Sequence, residues 1–205
     1  MSDAAETEAK RWREKMARRK AVQDAEVSAK TIEKKGLLLV HTGPGKGKTT
    51  AAMGLGLRML GRGRPVAIVQ FIKGAWSTGE RLAFTRFGDL LTWHSMGEGF
   101  TWETQDRARD VAACNRAWDE AQAQMARPEV SLVVLDELCI ALRYEYLDLA
   151  EVVGVLVARR PDLHVVVTGR NAPAALMDAA DLVTEMQAVK HPFKAGVKAQ
   201  EGIEF

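Results

Sequence analysis

One segment indicates the fold most clearly: His41-Thr42-Gly43-Pro44-Gly45-Lys46-Gly47-Lys48-Thr49-Thr50. It joins an apolar run at residues 37–40 to a segment at residues 48–60 that is expected to be helical. Its three glycines allow the backbone to curl so that amide groups point at an anion. The helix expected after the loop adds the positive end of its dipole. This combination predicts a phosphate-binding loop between a buried strand and a helix.

Side chains within this loop have separate predicted tasks. Lys48 supplies a mobile cation for phosphate oxygens, and the Thr49 hydroxyl is a candidate ligand for Mg²⁺. Lys46 places a further positive charge on the loop. The residues predicted to bind the nucleotide are Gly43, Gly45, Lys46, Gly47, Lys48, Thr49 and Thr50.

The loop departs from the general pattern G-x-x-x-x-G-K-S/T, which requires glycine at position 42. Thr42 stands there, and the glycine comes one place later at Gly43. Pro44 has no N–H and cannot donate to phosphate. An ordinary glycine-rich turn is the alternative, but the sequence G-K-T-T after an apolar strand favours phosphate binding.

Apolar runs alternate with amphipathic segments along the rest of the chain. Predicted strands cover residues 37–40, 66–71, 91–96, 132–135, 164–167 and 182–186. Predicted helices cover residues 48–60, 79–87, 104–126, 148–160 and 173–180. This alternation predicts an α/β fold with a mostly parallel sheet of about six strands, flanked by helices. Ligands of such sheets bind outside the carboxyl ends of the strands.

The acidic pair Asp136-Glu137 follows the apolar run at 132–135 and is therefore expected at such a strand end. Nucleotide-binding proteins with a phosphate loop place a metal-holding carboxylate there. Helix capping by Asp136 is the alternative use. Spacing does not distinguish which carboxylate contacts the metal directly. We assign Thr49 and Glu137 as metal ligands and Asp136 as a further site residue, with Mg²⁺ as the metal or Mn²⁺ in its place.

Charge divides the chain into a basic arm at residues 1–35 and a domain at residues 36–205. The 205 residues carry a net charge of +2, whereas residues 1–36 hold ten Lys and Arg against seven Asp and Glu. The arm is expected either to fray or to form a helix that orders on a partner or substrate. The small overall charge makes nucleic acid an unexpected partner.

Two cysteines, Cys114 and Cys139, are too few for a disulfide framework and lack the spacing of a zinc site. The N-terminus lacks the apolar stretch of a signal peptide, and no apolar run is long enough to span a membrane. A cytoplasmic enzyme is therefore expected.

An aromatic segment, Gly99-Phe100-Thr101-Trp102-Glu103-Thr104, follows the third predicted strand. It offers an apolar platform for a large flat ligand, although packing of the loop against the domain is an equal alternative. Other motifs occur in order around it. They are Thr42-Gly43 with Lys48-Thr49-Thr50, Phe71-Ile72-Lys73-Gly74 with Trp76 and Gly79-Glu80, Leu135-Asp136-Glu137-Leu138, Thr168-Gly169-Arg170, and the closing Gly196-Val197-Lys198-Ala199-Gln200-Glu201-Gly202-Ile203-Glu204-Phe205.

Together these motifs resemble the P-loop class of ATP:cob(I)alamin adenosyltransferases over residues 36–205. The shifted Gly43 matches that family, whereas Pro44 replaces its more usual asparagine. The resemblance implies transfer of the 5′-deoxyadenosyl group of ATP to the Co(I) of a reduced corrinoid, with release of triphosphate. Lys48 would stabilise the leaving group, and the nucleotide would lie reversed in the loop relative to hydrolytic P-loop enzymes.

The resemblance also implies that Phe100 and Trp102 displace the lower cobalt ligand so that Co(II) is reduced more easily. A reduced flavoprotein would donate the electron, the enzyme would be a homodimer, and residues 1–35 could close as a helical lid. Further residues in family motifs at strand ends are Lys73, Trp76, Glu80 and Arg170.

Three other functions compete with this hypothesis. A P-loop ATP hydrolase would use Asp136 and Glu137 for metal binding and water activation, and it would release ADP and phosphate. A small-molecule kinase would need an arginine-rich lid, which the segment after the fourth strand lacks. A nucleotide-gated module that binds nucleic acid through the basic arm is the third.

Overall fold

Six parallel strands form one sheet, and helices cover both of its faces. The computed structural model describes residues 3–32, 34–72, 78–96 and 106–203. The strands are β1 Leu38–Thr42, β2 Val66–Gln70, β3 Leu91–Ser95, β4 Leu132–Asp136, β5 His164–Thr168 and β6 Leu182–Glu185. Their order is β3-β2-β4-β5-β1-β6, and every adjacent pair is parallel. The predicted α/β fold with a mostly parallel sheet of about six strands is confirmed.

The helices around the sheet alternate with its strands along the chain. They are α2 Lys48–Leu60, α3 Gly79–Phe84, α4 Arg107–Ala126, α5 Leu138–Arg143, α6 Leu149–Ala158 and α7 Ala174–Ala179. Shorter 3-10 helices cover Thr85–Leu90 and Pro192–Ala195. Side-chain caps fix the starts of α3, α4 and α6, where Thr78, Asp106 and Asp148 each accept a backbone N–H bond from three residues later.

The central strands are buried on both faces, which explains their unbroken apolar sequences. In β1, Leu38 and Val40 join the core on the face covered by α4, α5 and α6. Leu39 points to the opposite core, where it meets Ala52 and Met53 of α2. The two cores pack the helices against opposite faces of the sheet, and this packing fixes the positions of the carboxyl ends of the strands.

Some element boundaries differ from the predicted ones. β1 and β5 extend to Thr42 and Thr168, because polar residues at these strand ends still pair in register with their neighbours. The predicted strand at 91–96 ends at Ser95, and the helix predicted at 79–87 ends at Phe84 before the 3-10 helix. Helix α5 was not predicted. It is buried and only six residues long, so its sequence has no amphipathic period.

The chain divides into two units, Met1–Lys35 and Gly36–Phe205. The first contains helix α1, Asp3–Ser28, whose described side chains are almost all exposed, including Trp12, Val22 and Val27. Its Lys20 and Asp24 form an ion pair one turn apart at 2.8 Å. Across the described ranges, no helix has both the length and the apolar character required to cross a membrane.

Gly36 provides a test of how tightly β1 is anchored. Its N–H donates to the Pro161 carbonyl at 2.6 Å, and a β-carbon at this position would lie 2.2 Å from the carbonyl oxygen of Leu163. We expect Gly36→Ala to lower the free energy of unfolding by about 1–3 kcal/mol, because the backbone must move to admit the methyl group.

Gly54 on the exposed side of α2 is the matched control. An added β-carbon there meets no atom within 4 Å. Gly54→Ala should raise the free energy of unfolding by about 0.5–1 kcal/mol, because alanine favours the helix. Urea denaturation of both variants measures the difference, and equal stabilities would contradict this account of β1.

Candidate active site

The loop between β1 and α2 packs against the backbone that follows β6. Gly43 and Gly47 have φ values of 96° and 103°, in the left-handed region that favours glycine. A β-carbon at Gly43 or Gly45 would lie 2.6 Å from the carbonyl oxygen of Met186, and the Gly45 N–H donates to that oxygen at 2.6 Å. Close packing therefore requires glycine at 43 and 45. The Gly45 amide is bonded within the chain, which differs from the expectation that the loop amides point at an anion.

Lys48 lies folded back over this loop. Its ammonium donates to the carbonyl oxygens of Gly43 and Gly45 at 2.9 and 2.5 Å, and the residue is only 7% exposed. Burial lowers the pKa of Lys48, Glu137 opposes that change, and Arg170 adds to it. The ammonium is thus held at the loop by two neutral acceptors.

Asp136 at the end of β4 is the most enclosed charged side chain among the described residues, with 0% exposure. Its Oδ1 accepts hydrogen bonds from the hydroxyls of Thr49 and Thr168, both at 2.8 Å. Its Oδ2 accepts from Gln70 Nε2 at 3.0 Å. A buried carboxylate is costly unless donors compensate the lost water, and these donors come from α2, β5 and β2.

Glu137 adopts a left-handed backbone conformation with φ 64° and ψ 20°. Its N–H donates to Thr168 Oγ1 at 2.9 Å. Such a conformation costs about 1–3 kcal/mol in a non-glycine residue and is found at functional sites. The alternative that Asp136 caps the next helix is wrong, because Glu137 occupies the N-cap position of α5 and makes no side-chain cap bond.

A cavity of about 540 Å³ lies at the carboxyl ends of the strands. Positive and negative side chains both line it, with Lys46, Lys48, Arg143 and Arg170 against Glu80 and Glu137. The excess of positive charge suits a polyanionic ligand. The complete described lining is Gly45, Lys46, Gly47, Lys48, Thr49, Thr50, Met53, Gln70, Thr78, Glu80, Glu137, Ile140, Arg143, Tyr144, Arg170 and Ile203.

Most of the predicted site residues meet at this cavity. The loop residues Gly45 to Thr50 line it together with Glu80, Glu137 and Arg170, although these positions are far apart in sequence. Gly43 is absent from the described lining, and Asp136 is buried and reaches the site through Thr49. The predicted residues Lys73, Trp76, Phe100 and Trp102 lie outside the part of the chain that the structure describes.

Several lining residues were not predicted from the sequence. Gln70 is the last residue of β2 and is in register with Asp136 of β4. Its position at a strand end was the signal that could have identified it as a lining residue. Arg143 and Tyr144 come from the end of the unpredicted α5. Thr78 caps α3, and Ile203 comes from the closing segment that carries a family motif.

Arg143 and Tyr144 form an aromatic and cationic part of the cavity wall. The Arg143 guanidinium lies 5.5 Å from the centroid of the Tyr144 ring, which stacks on Tyr146 at 5.7 Å. The Tyr146 hydroxyl donates to Asp110 Oδ2 at 3.3 Å, which ties the stack to α4. The wall therefore presents a cation whose position is set by aromatic packing.

Neither described cysteine is an activated nucleophile. Burial raises the pKa of Cys139, beside the cavity residue Glu137, to about 12, and it raises the pKa of Cys114 to about 12 as well. Both thiols stay protonated at neutral pH, so neither supplies a thiolate for covalent catalysis. The arrangement is suited to binding and orienting a polyanion.

Two family models match this chain, and both describe adenosyltransferases. The family model described as ATP:corrinoid adenosyltransferase BtuR/CobO/CobP matches residues 34–205. A second model, described as Cob(I)alamin adenosyltransferase N terminal, matches residues 1–27.

Three curated relatives match over nearly their whole length. The corrinoid adenosyltransferase of Pseudomonas aeruginosa is 55% identical over 95% of this chain and 96% of its own. That of a Sinorhizobium species is 54% identical over 93% and 90%. The corrinoid adenosyltransferase CobA of Salmonella typhimurium is 45% identical over 95% and 98%. The chain therefore belongs to the ATP:corrinoid adenosyltransferase family, and it is an enzyme that transfers the adenosyl group of ATP to cob(I)alamin.

Proposed function

We propose that the cavity holds the triphosphate of ATP and that Lys48 stabilises the charge on this group as it leaves. The observation that carries the proposal is the positive lining, in which four Lys and Arg residues outnumber two glutamates. Preorganised cations aimed at a developing charge are among the strongest sources of rate enhancement. The product would serve the synthesis or salvage of adenosylcobalamin.

The reaction does not require a nucleophile from the protein. The Co(I) of the corrinoid attacks the C5′ carbon of ATP, and a Co–C bond forms as the C5′–O bond breaks. The electron pair of the broken bond leaves on the triphosphate oxygen. Because the substrate cobalt is the nucleophile, the enzyme has to hold C5′ in line with it and stabilise the leaving group.

Lys48 is the residue whose contacts are expected to change on binding. In the present structure its ammonium bonds to the carbonyl oxygens of Gly43 and Gly45. Exchange of these neutral acceptors for phosphate oxygens adds Coulomb attraction between the ammonium and a negatively charged oxygen. Lys46 and Arg170 would add charge to the same end of the cavity.

The residues present also fit a magnesium ion. Protein sites usually hold Mg²⁺ by one or two carboxylates together with substrate phosphates and water. Thr49 and Glu137 line the cavity, and the Thr49 hydroxyl donates its hydrogen to Asp136, so Thr49 would meet a cation through its oxygen. We assign these two as the ligands and Asp136 as their support. When bound, Mg²⁺ or Mn²⁺ supplies positive charge that offsets the charge of the triphosphate.

Other parts of the proposal come from the family resemblance. Phe100 and Trp102 would occupy the position of the lower cobalt ligand, and Lys73, Trp76 and Glu80 would complete the walls. A reduced flavoprotein would supply the electron, the enzyme would act as a homodimer, and α1 would close over the bound substrate. The nucleotide would lie reversed in the loop, with its γ-phosphate in the usual place of the β-phosphate.

Product analysis tests the proposed role of Lys48. Under anaerobic conditions with Mg²⁺, ATP and chemically reduced cob(I)alamin, the wild type should yield light-sensitive adenosylcobalamin and one triphosphate per turnover. Lys48→Met should lower kcat/KM by about 100-fold or more, because a cation that stabilises the leaving group is lost. Lys194→Met, which removes an exposed lysine outside the described lining, is the control. Release of ADP, or full activity in Lys48→Met, would contradict the proposal.

The metal assignment has its own test in the dependence of ATP binding on Mg²⁺. We expect Glu137→Gln to raise the half-saturating Mg²⁺ concentration by about tenfold or more, because a charged ligand becomes neutral. Glu151→Gln, at an exposed position of α6, is the matched control and should behave as the wild type. Calorimetric titrations at a series of Mg²⁺ concentrations give the values. An unchanged Mg²⁺ dependence in Glu137→Gln would remove Glu137 from the ligand set.

A further inference from the structure

Gln70 is a buried polar residue that the mechanism above does not use. It ends β2 and is paired in register with Ser95 of β3 on one side and with Asp136 of β4 on the other. It is only 5% exposed, yet it contributes to the cavity lining. Its neighbours in the sheet are therefore the edge strand and the strand that carries the acidic pair.

The hydrogen bonds of Gln70 use both ends of its amide. Nε2 donates to Asp136 Oδ2 at 3.0 Å. Oε1 accepts from Ser95 Oγ at 2.9 Å and from the indole N–H of Trp93 at 3.1 Å. The indole donor fixes the orientation of the amide, because a reversed amide would point its NH₂ group at that N–H and its oxygen at a carboxylate.

This fixed amide constrains the site through Asp136. With Oδ2 directed to Gln70, Oδ1 faces the hydroxyls of Thr49 and Thr168, both at 2.8 Å. A hydroxyl has one hydrogen, so a Thr49 hydroxyl that donates to Asp136 can meet a cation only through its oxygen. The bonds thus form a continuous path from Trp93 and Ser95 through Gln70 and Asp136 to Thr49.

We infer that Gln70 is a positioning residue for the nucleotide and Mg²⁺ site, and that it sets the orientation of the Thr49 hydroxyl through Asp136. The inference rests on the proposed assignment of Thr49 as a metal ligand. It also gives the end of β3 a role in the site, since Trp93 and Ser95 hold the Gln70 amide in place. Groups that orient metal ligands typically change metal affinity or activity by about 10- to 100-fold when they are lost.

The test compares variants along this path by calorimetric ATP binding over a series of Mg²⁺ concentrations. Gln70→Met keeps the length of the side chain and removes both polar ends. We expect it to raise the half-saturating Mg²⁺ concentration by about 10- to 100-fold and to leave ATP affinity without Mg²⁺ within about threefold of the wild type. A residue with a merely structural role would change both measurements together.

Two further variants keep the test decisive if Gln70→Met does not fold. The double variant Trp93→Phe with Ser95→Ala retains Gln70 and Asp136 but removes the donors that hold the Gln70 amide. It should therefore raise the half-saturating Mg²⁺ concentration as well, by less than Gln70→Met does. His94→Gln on the same strand is the control, because His94 pairs with Glu120 and has no described bond to Gln70.

The outcomes separate this inference from the metal assignment. The inference alone would be overturned if ATP binding by the wild type depends on Mg²⁺ and Gln70→Met, or the double variant, shows the same half-saturating Mg²⁺ concentration as the wild type. A wild type whose ATP binding does not depend on Mg²⁺ would overturn the metal assignment and the inference with it, and this is seen without any variant.

Discussion

The arrangement of the site depends on the hydrogen bonds to the buried carboxylate of Asp136. It is fully enclosed, and it receives hydrogen bonds from α2, β2 and β5 through Thr49, Gln70 and Thr168. Removal of a carboxylate from water costs several kcal/mol, and the cost is offset only if donors are held in place. The parallel register supplies two of these donors, Gln70 and Thr168, because it sets the ends of neighbouring strands side by side. The sheet thus fixes the carboxylate, and the carboxylate in turn fixes the start of α2.

The positive cavity follows from this arrangement. The fixed start of α2 places Lys48 over the glycine loop, and the left-handed Glu137 projects the second acid of the pair toward the same space. In the proposed function, these oriented charges would need no reorganisation as the triphosphate leaves, and they would lower the barrier for its departure. A nucleophile supplied by the corrinoid substrate leaves binding, orientation and charge stabilisation as the tasks of the protein.

Sequence alone predicted the parts of the fold that depend on local pattern. The strands are runs of Val, Ile and Leu, and the glycine loop carries its own signature, so both could be placed before the structure was known. The role of Gln70 could not be predicted, because it depends on which strands lie beside β2. The same limit applies to Arg143 and Tyr144, which reach the cavity from a helix too short to show a period. The bond between Gly45 and Met186 likewise depends on β6, which is distant in sequence and adjacent in the sheet.

The most direct test of the central role of Asp136 is a rescue experiment. In Asp136→Asn an amide NH₂ would face the NH₂ of Gln70, which cannot turn because Trp93 and Ser95 hold its oxygen. We predict that Mg²⁺-dependent ATP affinity falls by about tenfold or more, and that Gln70→Glu added to Asp136→Asn restores most of it by supplying an acceptor for that NH₂. Wild-type affinity in Asp136→Asn, or a double variant as weak as the single one, would contradict the account that Asp136 acts through these hydrogen bonds.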